Sequence, residues 1–218
     1  MRGNININNL EILKEIRARY DRAAFLIGNG PNMYTGLMPS WKVLLNNAAG
    51  KPLEVDLDGL SNTEVYDLSA ILSGDEINVK KRVSASLIIE PGERIHVQKG
   101  LMELAIKTDS PVLTTNFDAA FELSVGAGLQ YITSAHFSRF YPWKSYYGFT
   151  KHDLPTDGFG IWKIHGDVRY QDSIRMGLTD YMGSAEKARK LIHSGEGRLF
   201  KGKQVDRWQG EQIGRAHV

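Results

Sequence analysis

Three short polar clusters end three apolar runs, and each carries side chains able to bind a ligand or do chemistry. The first is Phe25-Leu26-Ile27-Gly28-Asn29-Gly30-Pro31-Asn32, the second Pro111-Val112-Leu113-Thr114-Thr115-Asn116-Phe117-Asp118, and the third Ile161-Trp162-Lys163-Ile164-His165-Gly166-Asp167. Glycine accepts positive φ in a tight turn and lets a phosphate approach the backbone. Asn29 and Asn32 add hydrogen-bonding groups that a bare turn does not need. Asn116 offers a donor and an acceptor, enough to orient a water or a sugar hydroxyl. Histidine as a residue type titrates near neutral pH, which makes His165 a candidate general base.

Each cluster also has a plainer reading. Gly28-Asn29-Gly30 fits a strand-to-helix turn with no ligand, and no third glycine completes the dinucleotide fingerprint. Asn116 fits a helix N-cap, with Asp118 favourably placed near the positive end of the same helix. A lone histidine after a strand is often structural. The three clusters occurring together favour the chemical reading, because ligands of open α/β sheets sit outside the carboxyl ends of parallel strands.

The expected fold is therefore α/β: a Rossmann-like parallel sheet flanked by helices. Strands are expected at 23–27, 111–115 and 158–164, with shorter ones at 130–133 and 174–178, the last ending at Thr179-Asp180-Tyr181. An amphipathic helix is expected at 8–22, from Leu10, Leu13, Ile16 and Tyr20 at helical spacing. Another starts near Pro39-Ser40, with Ser40 or Pro39 near the cap. Ser61-Asn62-Thr63-Glu64 is a capping box opening a helix to about residue 72. Helices are further expected at 75–89, 93–107, 118–125 and 184–192. The helical stretch between the first two strands exceeds one crossover helix, so about 59–108 reads as an inserted helical subdomain.

The chain has 218 residues, 42% hydrophobic and 24% charged, enough to bury a sizeable core. A net charge of +2 gives no reason to expect nucleic acid or an anionic membrane as a partner. The basic runs Lys80-Lys81-Arg82 and Lys187-Ala188-Arg189-Lys190 read as solvated helix faces. No cysteine is present, which removes disulfides, thiolate zinc ligands and a thiol nucleophile. The expected compartment is the cytoplasm, and no metal is called for.

Taken in order, the clusters resemble the sirtuin-like superfamily, in its zinc-free bacterial NAD-hydrolase branch. The resemblance covers roughly residues 23–192. Gly28-Asn29-Gly30 is similar to the family's Gly-Ala-Gly turn, and Gly36-Leu37-Met38-Pro39-Ser40-Trp41 to the Gly-Leu-Pro segment after it. Thr114-Thr115-Asn116-Phe117-Asp118 resembles Thr-x-Asn-x-Asp, and Lys163-Ile164-His165-Gly166-Asp167 the His-Gly motif. Leu178-Thr179-Asp180-Tyr181 is similar to a later segment of this branch. Deacylating members carry a four-cysteine zinc module, which this chain lacks.

The resemblance implies cleavage of NAD to nicotinamide and ADP-ribose, with NAD as the substrate. It implies Asn116, Asp118 and His165 as catalytic residues. Gly28, Asn29, Gly30, Asn32 and Thr115 join those three in binding NAD. Asn116 would orient water or ribose, Asp118 would hold the nicotinamide amide, and His165 would meet a ribose hydroxyl as general base. It also implies a role as an anti-phage effector, regulated by homo-oligomerisation or an attached sensor region. The alternatives are an NAD-dependent protein deacylase, a non-catalytic module binding NAD or ADP-ribose, and a structural α/β domain. After Gln212, the tail Ile213-Gly214-Arg215-Ala216-His217-Val218 matches the translation of a common sequencing adapter. Residues 213–218 are accordingly read as adapter, and 1–211 as a domain lacking its last strand or strands.

Overall fold

A computed structural model describes residues 23–50, 59–74, 76–89, 94–132, 144–154 and 157–194, together with Glu15, 18–20 and Phe140. The amino-terminal helix expected at 8–22 falls mostly outside these residues, although Glu15, Ala18 and Arg19 are helical. The adapter-like tail at 213–218 also lies outside them.

The order is β1 (Phe25–Ile27), α1 (Gly30–Tyr34), α2 (Trp41–Ala48), α3 (Asn62–Ser73), α4 (Glu76–Ser86), α5 (His96–Lys107), β2 (Val112–Thr114), α6 (Ala120–Val125), β3 (Gly128–Tyr131), β4 (Ser145–Gly148), β5 (Ile161–Lys163) and α7 (Leu178–Ser194). The five strands form one sheet in the order β1-β2-β5-β4-β3. β1, β2 and β5 are parallel neighbours, while β4 runs antiparallel to both β5 and β3. The fold is α/β and Rossmann-like, with helices flanking an open sheet, but the sheet is mixed rather than wholly parallel.

Two apolar clusters divide the molecule. One joins α2, α3 and α4 through Leu45, Val65, Tyr66, Val79 and Val83, and takes in Phe117, Ile174 and Met176 from the sheet side. The other packs Met102 and Ala105 of α5 and Phe121 of α6 against Val112 and Ile161 of the sheet. Thus α5 belongs to the sheet's own core, and the helical unit draws on α2 as well as α3 and α4.

Local signals explain the helix starts. Ser40 caps α2, accepting from Val43 N at 3.5 Å. Ser61 and Glu64 form the expected capping box, with Ser61 N donating to Glu64 Oε2 at 2.8 Å. Hydrogen bonding to Ser61 holds the Glu64 carboxyl below its ordinary value. The first basic run is not merely solvated. Lys80 pairs with Asp180 at 3.0 Å, and Arg82 donates to the carbonyls of Ala48 and Ala49 at the end of α2. These bonds answer carbonyls that a helix end leaves open.

Residues 174–178 do not form the expected strand. Ile174–Met176 is buried and pairs with no described strand, and α7 opens at Leu178. Asp180 explains the earlier start: its carboxylate accepts from Met176 N at 3.1 Å and Gly177 N at 3.4 Å, answering amide groups at the head of the helix. Thr179-Asp180-Tyr181 therefore lies in a first helical turn.

Among the described glycines, Gly166 is the one with least room for a side chain. Its φ is +116°, and a Cβ there would lie 2.3 Å from Ser173 O. Strained φ and a backbone clash add together, so Gly166→Ala is expected to lower stability by about 3 kcal/mol or more. Urea unfolding of the variant measures this; a loss under about 1 kcal/mol would contradict it.

Candidate functional site

The strand register brings the three clusters together. Ile27 pairs with Thr114, and Thr114 with Lys163, so the residues following β1, β2 and β5 emerge side by side at one sheet edge. Hydrogen bonds then tie these ends. Thr114 Oγ1 donates to Ile27 O at 2.8 Å and accepts from Asn116 N at 3.1 Å. Ile164 N donates to Thr114 O at 3.0 Å.

Two adjoining clefts open at this edge. The larger, of ≈ 180 Å³, is lined by residues that include Trp41, Thr63, Thr115, Phe117, His165, Arg175 and Tyr181. The smaller, of ≈ 60 Å³, is lined by residues that include Asn29, Met38, Thr115, Asn116 and Asp118. Trp41 and Phe117 line both, and their rings meet edge to face with centroids 5.4 Å apart. The helical unit supplies one wall and the sheet edge the other.

Asn116 is buried, yet its Nδ2 has no hydrogen-bond partner among the described residues. It does not cap the next helix. That work falls to Asp118, whose Oδ1 accepts from Ala120 N at 2.9 Å at the start of α6. The capping reading of Asn116 is thereby overturned: the residue lines the smaller cleft, and its amide nitrogen is a buried donor with no partner among the described residues. Buried polar groups of this kind are rare and costly, and they commonly mark sites of function.

His165 follows β5 in a turn and lines the larger cleft. Its ring meets Tyr181 edge-on, with centroids 5.2 Å apart and Nδ1 3.5 Å from the Tyr181 hydroxyl. Burial, with a smaller push from Asp180, raises the Tyr181 phenol above its ordinary pKa. The phenol therefore stays protonated beside the imidazole at neutral pH.

The remaining sequence candidates have different placements. Asn29 lines the smaller cleft, and it heads α1 without a side-chain capping bond. Gly28 and Gly30 are exposed at the end of β1, but neither has positive φ. The turn needs no left-handed residue because α1 begins at once at Gly30, with Pro31 setting a helical φ. A Cβ on Gly30 would meet nothing within 4 Å, whereas one on Gly28 would touch Thr115 Oγ1 at 3.4 Å. Asn32 is fully buried and bonded within the protein, so it belongs behind the cleft rather than on its wall.

A buried ionic group lies beneath these residues and carries no signal in sequence spacing. Lys163 pairs with Glu122 of α6 at 2.9 Å. It also donates to the carbonyls of Phe117, at 3.3 Å, and Asp118. Tyr147 of β4 donates to Asp167 Oδ2 at 2.7 Å, and Arg169 approaches the same oxygen at 3.4 Å. Burial works against charge on Lys163, but Glu122, Asp167 and Asp118 outweigh it and raise its pKa. Burial raises the Glu122 carboxyl, with Lys163 pulling it the other way. Among the described residues, no group of three or more acidic or histidine side chains is placed to hold a metal ion. No described helix is long and apolar enough to cross a membrane.

In comparison with known proteins, the chain matches no family model and no curated relative.

The ion pair predicts a pH-dependent defect. A raised carboxyl pKa means that the folded state holds the Glu122 proton more tightly than the unfolded chain. Its favourable contribution is full below the ordinary value of 4.5 and is lost as pH rises through the folded value. Lys163→Met leaves that carboxyl without its counter-charge and raises it further. The variant is expected to lose about 3–5 kcal/mol near neutral pH. The deficit should be smaller near pH 5, where Glu122 can take up a proton. Urea unfolding at both pH values measures it, and equal deficits would refute the account.

Proposed function

We propose that the paired clefts bind NAD and hydrolyse the bond between nicotinamide and ribose. The observation that carries this reading is the buried Asn116 amide nitrogen, a donor that no described residue answers, on a residue that lines the smaller cleft. A ribose hydroxyl or an attacking water supplies the missing acceptor. His165 and Thr115 line the adjoining cleft, within the same sheet edge. The residues implied by the sirtuin-like resemblance are thus neighbours in space as well as ordered in sequence.

The chemistry suits these walls. The bond between ribose C1′ and the pyridinium nitrogen breaks, and its electron pair neutralises the ring nitrogen. A water oxygen bonds to C1′, and its proton passes to His165 and then to solvent. The products are nicotinamide, ADP-ribose and one proton. The transition state is oxocarbenium-like, so positioning and electrostatics dominate catalysis. Trp41 and Phe117 offer aromatic surface to a cationic ring or sugar. Even taken together, the two adjoining clefts fall below the roughly 300–1,000 Å³ of complete small-molecule sites, which suits the nicotinamide riboside half shared between them better than a whole dinucleotide. The exposed Gly28 and Gly30 leave room for the pyrophosphate beside it. A role in depleting NAD during phage infection would be a use of this same reaction.

The test is nicotinamide release from NAD with no acyl peptide present. Asn116→Ala and His165→Ala are each expected to lower it about 100-fold or more while retaining the wild-type melting temperature. Full activity in both variants would overturn the proposal. Release that requires an acylated peptide would replace it with deacylation.

A further inference from the structure

One buried side chain of α5 reaches the smaller cleft through two hydrogen bonds. Gln98 Nε2 donates to Asn32 Oδ1 at 2.7 Å, and Asn32 Nδ2 donates to Asp118 Oδ2 at 2.8 Å. Gln98 and Asn32 are both fully buried, and Asp118 nearly so. Asp118 Oδ1 is already held by Ala120 N.

This relay has one direction. A carboxylate only accepts hydrogen bonds, so Asn32 must turn its NH2 toward Asp118 and its oxygen toward Gln98. Gln98 must then answer with its own NH2. Its other end is left over: Gln98 Oε1 has no partner among the described residues. An orphaned acceptor in the core is destabilising, so apolar packing at this position would serve the fold better. The arrangement instead keeps both Asp118 oxygens accepting and holds the carboxylate in one orientation beside the cleft.

We infer that Gln98 and Asn32 are positioning residues that determine specificity: acting through Asp118, they make the smaller cleft accept a donor group of the substrate and reject an anion. This rests on the NAD reading above. The group selected is then the nicotinamide carboxamide, whose NH2 can donate to Asp118. A carboxylate in the same place would meet like charge with no proton to share. Sites built around such buried hydrogen bonds discriminate strongly, because the wrong group leaves them unpaired.

The test compares kcat/KM for NAD and for nicotinic acid adenine dinucleotide, which carries a carboxylate in place of the carboxamide. Wild type is expected to prefer NAD by about 100-fold or more, and Gln98→Leu to narrow that ratio about tenfold. A purely structural role would lower both rates together and leave the ratio intact. An unchanged ratio in folded Gln98→Leu overturns the inference, as does a wild-type preference for the carboxylate. Should Gln98→Leu not fold, Asn32→Ser breaks the same relay and is judged by the same ratio. Should wild type cleave neither dinucleotide, the functional reading fails and the relay is judged by NMR. The Asn32 side-chain amide protons must then exchange slowly in wild type and at least about tenfold faster in Gln98→Leu. Equal exchange overturns the relay itself.

Discussion

A single buried ammonium ties the site to the sheet. Lys163 ends β5 pointing into the protein, where it meets the Glu122 carboxylate of α6 and the carbonyls of Phe117 and Asp118. Those carbonyls belong to the loop that carries Asn116. A buried ion pair of this kind contributes little net stability, because both charges lose their water. Its effect is geometric: the loop after β2 cannot move without leaving a charge in the core. Three carboxylates, Glu122, Asp167 and Asp118, keep Lys163 charged despite its burial.

Other constraints build on that clamp. Asp167, which helps hold the charge of Lys163, accepts from Tyr147 of the reversed strand β4 and from Arg169 N. Gly166 lets the chain pass close against Ser173, and Arg175 N then donates to His165 O at 2.9 Å. Arg175 also reaches Asp180 at the head of α7, which places Tyr181 against the His165 ring. Thus β4, β5, the segment after it and α7 all contribute to the position of one histidine. The helical unit supplies the opposite wall, because Trp41 leaves α2 to meet Phe117 across the cleft.

Elements written in local chemistry were legible in the sequence. The Ser61 and Glu64 capping box and the Ser40 cap are each made within four residues, so spacing alone reveals them. The same holds for the apolar runs that became β1, β2 and β5. Elements decided by distant contacts were not legible. The segment 174–178 has strand-like residues, but Asp180 draws it into the head of α7. The basic run at 80–82 looks solvated until Asp180 and the end of α2 are brought beside it. Asn32 looks ligand-facing in its motif, yet Gln98 and Asp118, both remote in sequence, hold the two ends of its amide.

The sequence by itself determined the α/β class, the three strand ends and the residue types able to do chemistry there. Those depend on hydrophobic period, turn residues and caps, all of short range. Tertiary structure decided which of the residues work together. Parallel register placed Gly28, Thr115 and Ile164 at one edge, and packing of the helical unit formed the cleft beside Thr115. It also separated Asn116 from Asp118: one is left with an unanswered donor, the other is held by α1 and the start of α6. The physical reason is that hydrogen-bond satisfaction in a core is set by whatever the fold brings within about 3 Å, and chain neighbours do not disclose that.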